Sequence, residues 1–511
     1  MRNTNALFAA CISVLIPAAH ALAADWPQFG YDATHSGNNP AETVLTATTV
    51  KQLVSLFPGG ATLPAKVDSA PVYQSNVVTS TGTQDLLFAL TSSGSTATLL
   101  AIDAASGATV WSKQTSGKQP TTSSPAIDPN QQFVYSYGVD GMAHKYAIGS
   151  GNEVVTGGWP EVISLKTDVE KVASGLTIAS SGGTNFLVVV TDGYIGDGGN
   201  YQGHLVSIRL ATGAQTVFNV MCSDRSIHFS SGANDCAGVQ SGIWGRGGAT
   251  FDTATDRVYI ATGNGQFNAN SGGSNWGDSV LALAPDGSGR GGGQPRDSYT
   301  PANYQNLQDT DTDLGSISMA VLPVPAGSAV AHLGMQVGKD AKLRLIDLDD
   351  MSQQSIFVDG FDGPSVAARG APGGVGGEVQ LMNVPQGGDG MREQPAVWVN
   401  PLDNSIWLFV ANHSGISGLQ LGLDGNHRPL LTSRWTKLAS STSPIIANGM
   451  LYNAGACTGG GTCISARNPL TGSVLWSSPT IGAVHWQSPI LVNGALYITD
   501  NNAKLWKFGL N

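Results

Sequence analysis

Ser488-Pro-Ile-Leu-Val-Asn-Gly-Ala-Leu-Tyr-Ile-Thr-Asp500 repeats, with small changes, Ser443-Pro-Ile-Ile-Ala-Asn-Gly-Met-Leu-Tyr452. Weaker copies begin at Ala70-Pro71 and at Ser124-Pro125. A second phrase follows, clearest in Leu100-Ala-Ile-Asp103 with Gly107 and Trp111, and again in Ile464-Ser-Ala-Arg467 with Gly472 and Trp476. Apolar runs flanking Asn-Gly read as hairpins, because Asn and Gly tolerate the positive φ of the tightest hairpin turns. Recurrence every few tens of residues points to radial repetition of small antiparallel sheets. One such sheet cannot bury both its faces, so the copies must stack around an axis.

Each repeat reads as four strands, with starts near Asp68, Thr121, Lys171, Gly242, Asp313, Glu393, Ser441 and His485. The prediction is an all-β, eight-bladed β-propeller of four-stranded antiparallel blades. Insertions at 265–276 and 287–312 blur blades four to six and leave a count of seven open. The last repeat stops at Phe508, too early for its own outer strand. Val50–Phe57 has the pattern to supply it, closing the ring and removing exposed sheet edges.

Residues 1–23 read as a secretion signal, with Arg2, an apolar run from Ala6 to Ile16 and a small-residue cleavage site at Ala21-Leu22-Ala23. The expected organisation is that signal followed by a single propeller domain over 24–511, located in the periplasm or secreted. Cys11 lies inside the apolar run, and Phe8 suits a lipobox poorly, so no lipid anchor is predicted. No other stretch is apolar for long enough to span a bilayer.

High glycine content (66 residues) with only 12% charged side chains fits a turn-rich β protein better than a helical one. A net charge of −11 argues against nucleic acid or an anionic membrane as partner. Cys222 with Cys236, and Cys457 with Cys463, read as two local disulfides in an oxidising compartment. A metal site at these cysteines is the rival reading, but it lacks nearby histidines. No Cys-x-x-Cys-His occurs, which excludes covalently attached haem.

These phrases, with the opening Asp25-Trp-Pro-Gln-Phe-Gly30 and His35-Ser-Gly-Asn38, resemble the pyrroloquinoline quinone-like β-propeller superfamily. That superfamily includes calcium- and quinone-dependent alcohol dehydrogenases and non-catalytic outer-membrane assembly scaffolds, so function needs separate argument. Asp252 to Asn264 looks like the dehydrogenase segment whose Asn coordinates calcium, which makes Asn264 a candidate ligand. Asp197 would stand in for a Glu ligand of those enzymes, and Asp192 lies in the same loop. Asp313 falls where they keep the proposed catalytic base and would share the metal. Lys339 resembles the basic residue that contacts the quinone. The stacking Trp corresponds to Trp244 or, in an ungapped match, to Arg246. The adjacent cysteines that clamp the quinone in those enzymes are absent.

Each candidate also has a plain reading. Asn264 suits a β-turn cap, Asp313 a blade-turn Asp, Lys339 a solvated hairpin, and Asp192 and Asp197 ordinary Gly-rich turns. Trp111, Trp476 and Trp506 read as blade packing. His485-Trp486 begins the last inner strand, where side chains line a propeller's funnel, and Arg392-Glu393-Gln394 is its counterpart in blade six. Two functions follow as expectations. One is an exported quinone- and calcium-dependent oxidoreductase acting on an alcohol, polyol or sugar, with Trp486 joining the cofactor contacts. The other is a non-catalytic propeller that binds a protein, peptide or glycan. A polysaccharide lyase is a distant third, hinted at only by His485 with Tyr497.

Overall fold

The computed structural model describes residues 25–194, 197–232, 234–351, 372–388 and 390–511. The signal-like segment 1–23 and Cys11 lie outside these residues. The chain forms eight blades in sequence order, and the seven-bladed alternative is ruled out. Inner strands begin the blades at Val72, Ala126, Thr177, Thr250, Ala320, Ala396, Ile445 and Ile490. Successive inner strands touch from blade one through blade five and between blades six and seven.

Blade three starts later than the sequence suggested. Its inner strand is Thr177–Ser181, while Glu170–Lys171 pairs separately with Asp192–Gly193. The stretch 287–312 is only partly an insertion: Asp297–Tyr299 is the outer strand of blade four, and Tyr304–Thr310 is a short helix. Blade eight is completed from the N-terminus, though by two short pieces rather than one strand. Val54–Ser55 pairs with Phe508 and Gly509, and Ala61–Thr62 with Lys504 and Leu505. Val50 to Gln52, read as part of that strand, belong instead to a 3₁₀ turn, Thr49–Gln52.

The repeated tryptophans dock one blade on the next. Trp111 donates its indole N–H to Ile148 of blade two, Trp435 to Pro469 of blade seven, and Trp476 to Leu53 beside blade eight. Each indole thus covers apolar surface while its polar edge stays satisfied.

Residues 25–39 form a hub beneath the ring. Trp26 exchanges both backbone hydrogen bonds with Tyr73 of blade one, and Ile127 of blade two donates to Pro27. The Ile178 N–H of blade three donates to the Gln28 side chain. Phe251 of blade four donates to Ala33, Val397 of blade six to Ser36, and Ile446 of blade seven to Gly37. Asn39 donates to Leu491 of blade eight. The segment therefore visits seven of the eight inner strands in ring order. Asp32 holds its turn by accepting from Thr34 and Ser36. Close approach also requires small residues above it. A Cβ on Gly247 would lie 2.5 Å from the His35 ring. Trp26 is 1% exposed. Trp26→Ala should lower unfolding stability by about 3–5 kcal/mol, as for other buried large-to-small changes, measurable by denaturant titration.

Two disulfides, Cys222–Cys236 and Cys457–Cys463, close loops as expected. Among the described residues no helix is long and apolar enough to cross a membrane.

Candidate funnel site

Beside the hub, where Gly247 abuts His35, the loops that enter the inner strands meet the loops between second and third strands. Asp313 opens a 3₁₀ turn, Leu314–Ser316, just before blade five. Its Oδ1 accepts the backbone N–H of Asn264 at 2.6 Å, and its Oδ2 lies 2.5 Å from the Lys339 ammonium. Lys339 also reaches Asp311 at 2.9 Å. A Cβ on Gly263 would stand 2.6 Å from Asp313 Oδ1, so glycine there admits the carboxylate. Asp278 fixes the turn from below by accepting the Leu314 N–H at 2.9 Å. Burial pushes the Asp313 carboxyl above the usual range, against the pull of Lys339.

The Lys339 ammonium sits 5.4 Å from the centre of the Trp244 ring. Two residues on, Arg246 lies over Trp486 with its guanidinium carbon 4.5 Å from that ring. Trp244, Arg246, Lys339 and Trp486, all candidates from sequence, are thus two neighbouring cation–indole pairs. They are joined by an Arg246 contact to the Trp244 carbonyl at 3.4 Å. Arg246 is 4% exposed. Asp68, Asp192 and Glu393 surround it electrostatically. His485 and Lys66 bind Asp68 at 3.0 and 2.8 Å. Against burial, which pushes it up, these hydrogen bonds hold the Asp68 carboxyl down at about 2.

Asp197 accepts the Tyr201 hydroxyl at 2.5 Å, and Tyr201 feels Asp313 and Asp192 as nearby charges. Tyr201, Asp278 and the pairing of Asp68 with His485 were not singled out from sequence. Only the density of Gly around Asn200-Tyr201-Gln202-Gly203 hinted at the first.

Burial pushes both Asp192 and Glu393 up to about 7. The folded state therefore binds protons that the unfolded chain has already released above about pH 4. These two groups make stability fall as pH rises from about 4 to about 7, and flat beyond. Asp192→Asn should accordingly raise the thermal midpoint at pH 7–8, with the gain shrinking toward pH 4.

The proposed calcium set does not assemble into an open donor cage. Both Asp313 oxygens and one Asp197 oxygen already have partners, and Asp313 faces an ammonium. Calcium needs six to eight oxygen ligands. Among the described residues no group of three or more His, Cys, Asp or Glu side chains is placed to hold a metal ion. A planar anion fits better, because an indole face with a cation above it suits a flat, negatively charged ring.

No family model matches this chain, and no curated protein matches it in sequence. Similar solved structures include Sqt1 from Chaetomium thermophilum, at 12% identity over 90% of this chain and 100% of that one, with TM-score 0.50. Sqt1 from Saccharomyces cerevisiae gives 12% identity, 88% and 98% coverage and 0.46. BamB from Moraxella catarrhalis gives 13% identity, 75% and 84% coverage and 0.36. The first likeness bears on the fold alone, and the other two carry no argument. By its own topology the chain is an eight-bladed β-propeller with a charged, aromatic-lined funnel.

Proposed function

We propose that this chain is an exported oxidoreductase that oxidises an alcohol, polyol or sugar beside Asp313, using a planar anionic quinone held on Trp244. One observation carries the reading: Asp313, Lys339 and Trp244 form a continuous chain of contacts, at 2.5 and 5.4 Å, built from three separate loops. A base, a cation and a flat apolar face are the parts such an oxidation requires.

Asp313 is the group that takes the substrate hydroxyl proton, and burial raises its basicity for that task. Lys339 balances its charge before transfer and stabilises negative oxygens on the ring side. The Asn264 N–H and Asp278 hold the Asp313 turn in place. When bound, the quinone supplies the two-electron acceptor for the substrate hydride. Substrate enters from the side of His485, whose side chain is half exposed. Export is supported by the signal-like N-terminus and the two disulfides.

A dye-linked dehydrogenase screen of the full chain loaded with pyrroloquinoline quinone tests this reading. Turnover is expected with at least one class among alcohols, polyols, aldoses and hydroxy acids, and it should survive EDTA. No turnover, together with no change in thermal midpoint on adding quinone, refutes it and leaves a binding propeller.

A further inference from the structure

Arg246 is nearly inaccessible, yet its Nε has no hydrogen-bond partner and its guanidinium forms no ion pair among the described residues. Among the described residues its one hydrogen bond is the long contact to the Trp244 carbonyl. Buried guanidinium groups are ordinarily saturated with acceptors, so donors left idle call for an explanation. The carboxyls around it are committed elsewhere or held back. Asp68 is taken by Lys66 and His485. Glu393 accepts the N–H and O–H of Ser443, both at 2.8 Å. Asp192 stands 4.0 Å from Lys171, and its Oδ1 is buried without a partner. Arg246, Lys66 and Lys171 face Asp68, Asp192 and Glu393, with His485 beside them. Protonation of Asp192 and Glu393 leaves a net positive site and adds two hydrogen-bond donors.

We propose that Arg246 anchors a second subsite, which takes the carboxylate of a small hydroxy acid together with a proton from solution. The inference rests on the same funnel as the oxidoreductase reading and names its substrate class: hydroxy acids such as sugar acids, in preference to neutral sugars. The guanidinium fork accepts a carboxylate with two parallel hydrogen bonds. Asp192 and Glu393, protonated, donate to the remaining lone pairs. Trp486 covers the guanidinium face and keeps the pair out of water. No covalent step is involved; one proton or two move from solvent to Asp192 and Glu393 as the anion enters.

The test uses no quinone, so it can fail independently of the oxidoreductase reading. D-gluconate, lactate and glucose are titrated into the full chain by calorimetry between pH 5.5 and 8.5, in buffers of different ionisation enthalpy. Gluconate or lactate should bind at one site with net proton uptake. Affinity should weaken about tenfold per pH unit and per linked proton above pH 7 and level off below it. Glucose should not bind. Arg246→Gln should abolish carboxylate binding. Glu393→Gln should keep it while removing one proton from the linkage, and serves if the Arg246 variant does not fold. Lys339→Ala should weaken quinone binding by a larger factor than gluconate binding, which separates the two subsites. Equal binding of glucose and gluconate, pH-independent affinity, or no gluconate binding at pH 6 would each overturn the proposal.

Discussion

Deletion of residues 25–39 is expected to abolish cooperative unfolding. The segment supplies hydrogen bonds to seven inner strands, most of them backbone to backbone: Tyr73, Ile127, Ile178, Phe251, Val397, Ile446 and Leu491 each lose a partner. A buried donor or acceptor left unmade costs about 1–3 kcal/mol. Seven such losses amount to at least about 7 kcal/mol, comparable with the whole stability of a typical domain, about 5–15 kcal/mol. Removal of Trp26 and Phe29, both buried, adds to that. Circular dichroism with thermal and denaturant melts reads the outcome. A truncated chain that melts cooperatively at the full-length midpoint would show that the blades hold the ring without their hub.

The second large effect concerns turnover. Asp313→Asn keeps the size of the side chain and its contact with the Asn264 N–H, but removes the proton acceptor. Loss of a positioned general base lowers turnover by about 10²–10⁴-fold. Because burial raises the Asp313 carboxyl above its ordinary range, wild-type turnover should climb with pH through that raised value and then plateau. Thermal stability should change little, since the substitution also removes a buried charge. If the Asn variant turns over at the wild-type rate on any substrate that the wild type uses, Asp313 is not the base.

The repeats made the blade count and the hairpins legible because Asn-Gly turns and Trp positions are local chemistry. The hub was not legible. Asp25–Asn39 makes its bonds through backbone groups and buried polar side chains scattered over the whole ring, and no local pattern encodes that. The late start of blade three escaped for a related reason: Glu170–Lys171 does form a strand, but it pairs with Asp192–Gly193 rather than with the blade.

Within the site, the family resemblance rather than spacing grouped Asn264, Asp313, Lys339 and Trp244, since Trp244 and Asp313 precede inner strands whereas Asn264 and Lys339 follow second strands. It left open whether Trp244 or Arg246 faces a ligand. In the structure each has its own partner, Trp244 the Lys339 ammonium and Arg246 the Trp486 ring. The surroundings of the calcium candidates depend on electrostatics that spacing cannot reveal. Lys339, read as a quinone contact, occupies the Asp313 oxygen that a cation would need. Tyr201 likewise takes up Asp197 from only four residues away.

Convergence of Trp244, Lys339 and Asp313 into a ligand site is most directly tested by titrating the full chain with pyrroloquinoline quinone while following tryptophan fluorescence, with and without added calcium. Saturable one-to-one quenching, unchanged by calcium and lost in Trp244→Ala, is the predicted result. Quenching that requires calcium, or quinone binding that survives loss of the Trp244 ring, would contradict it.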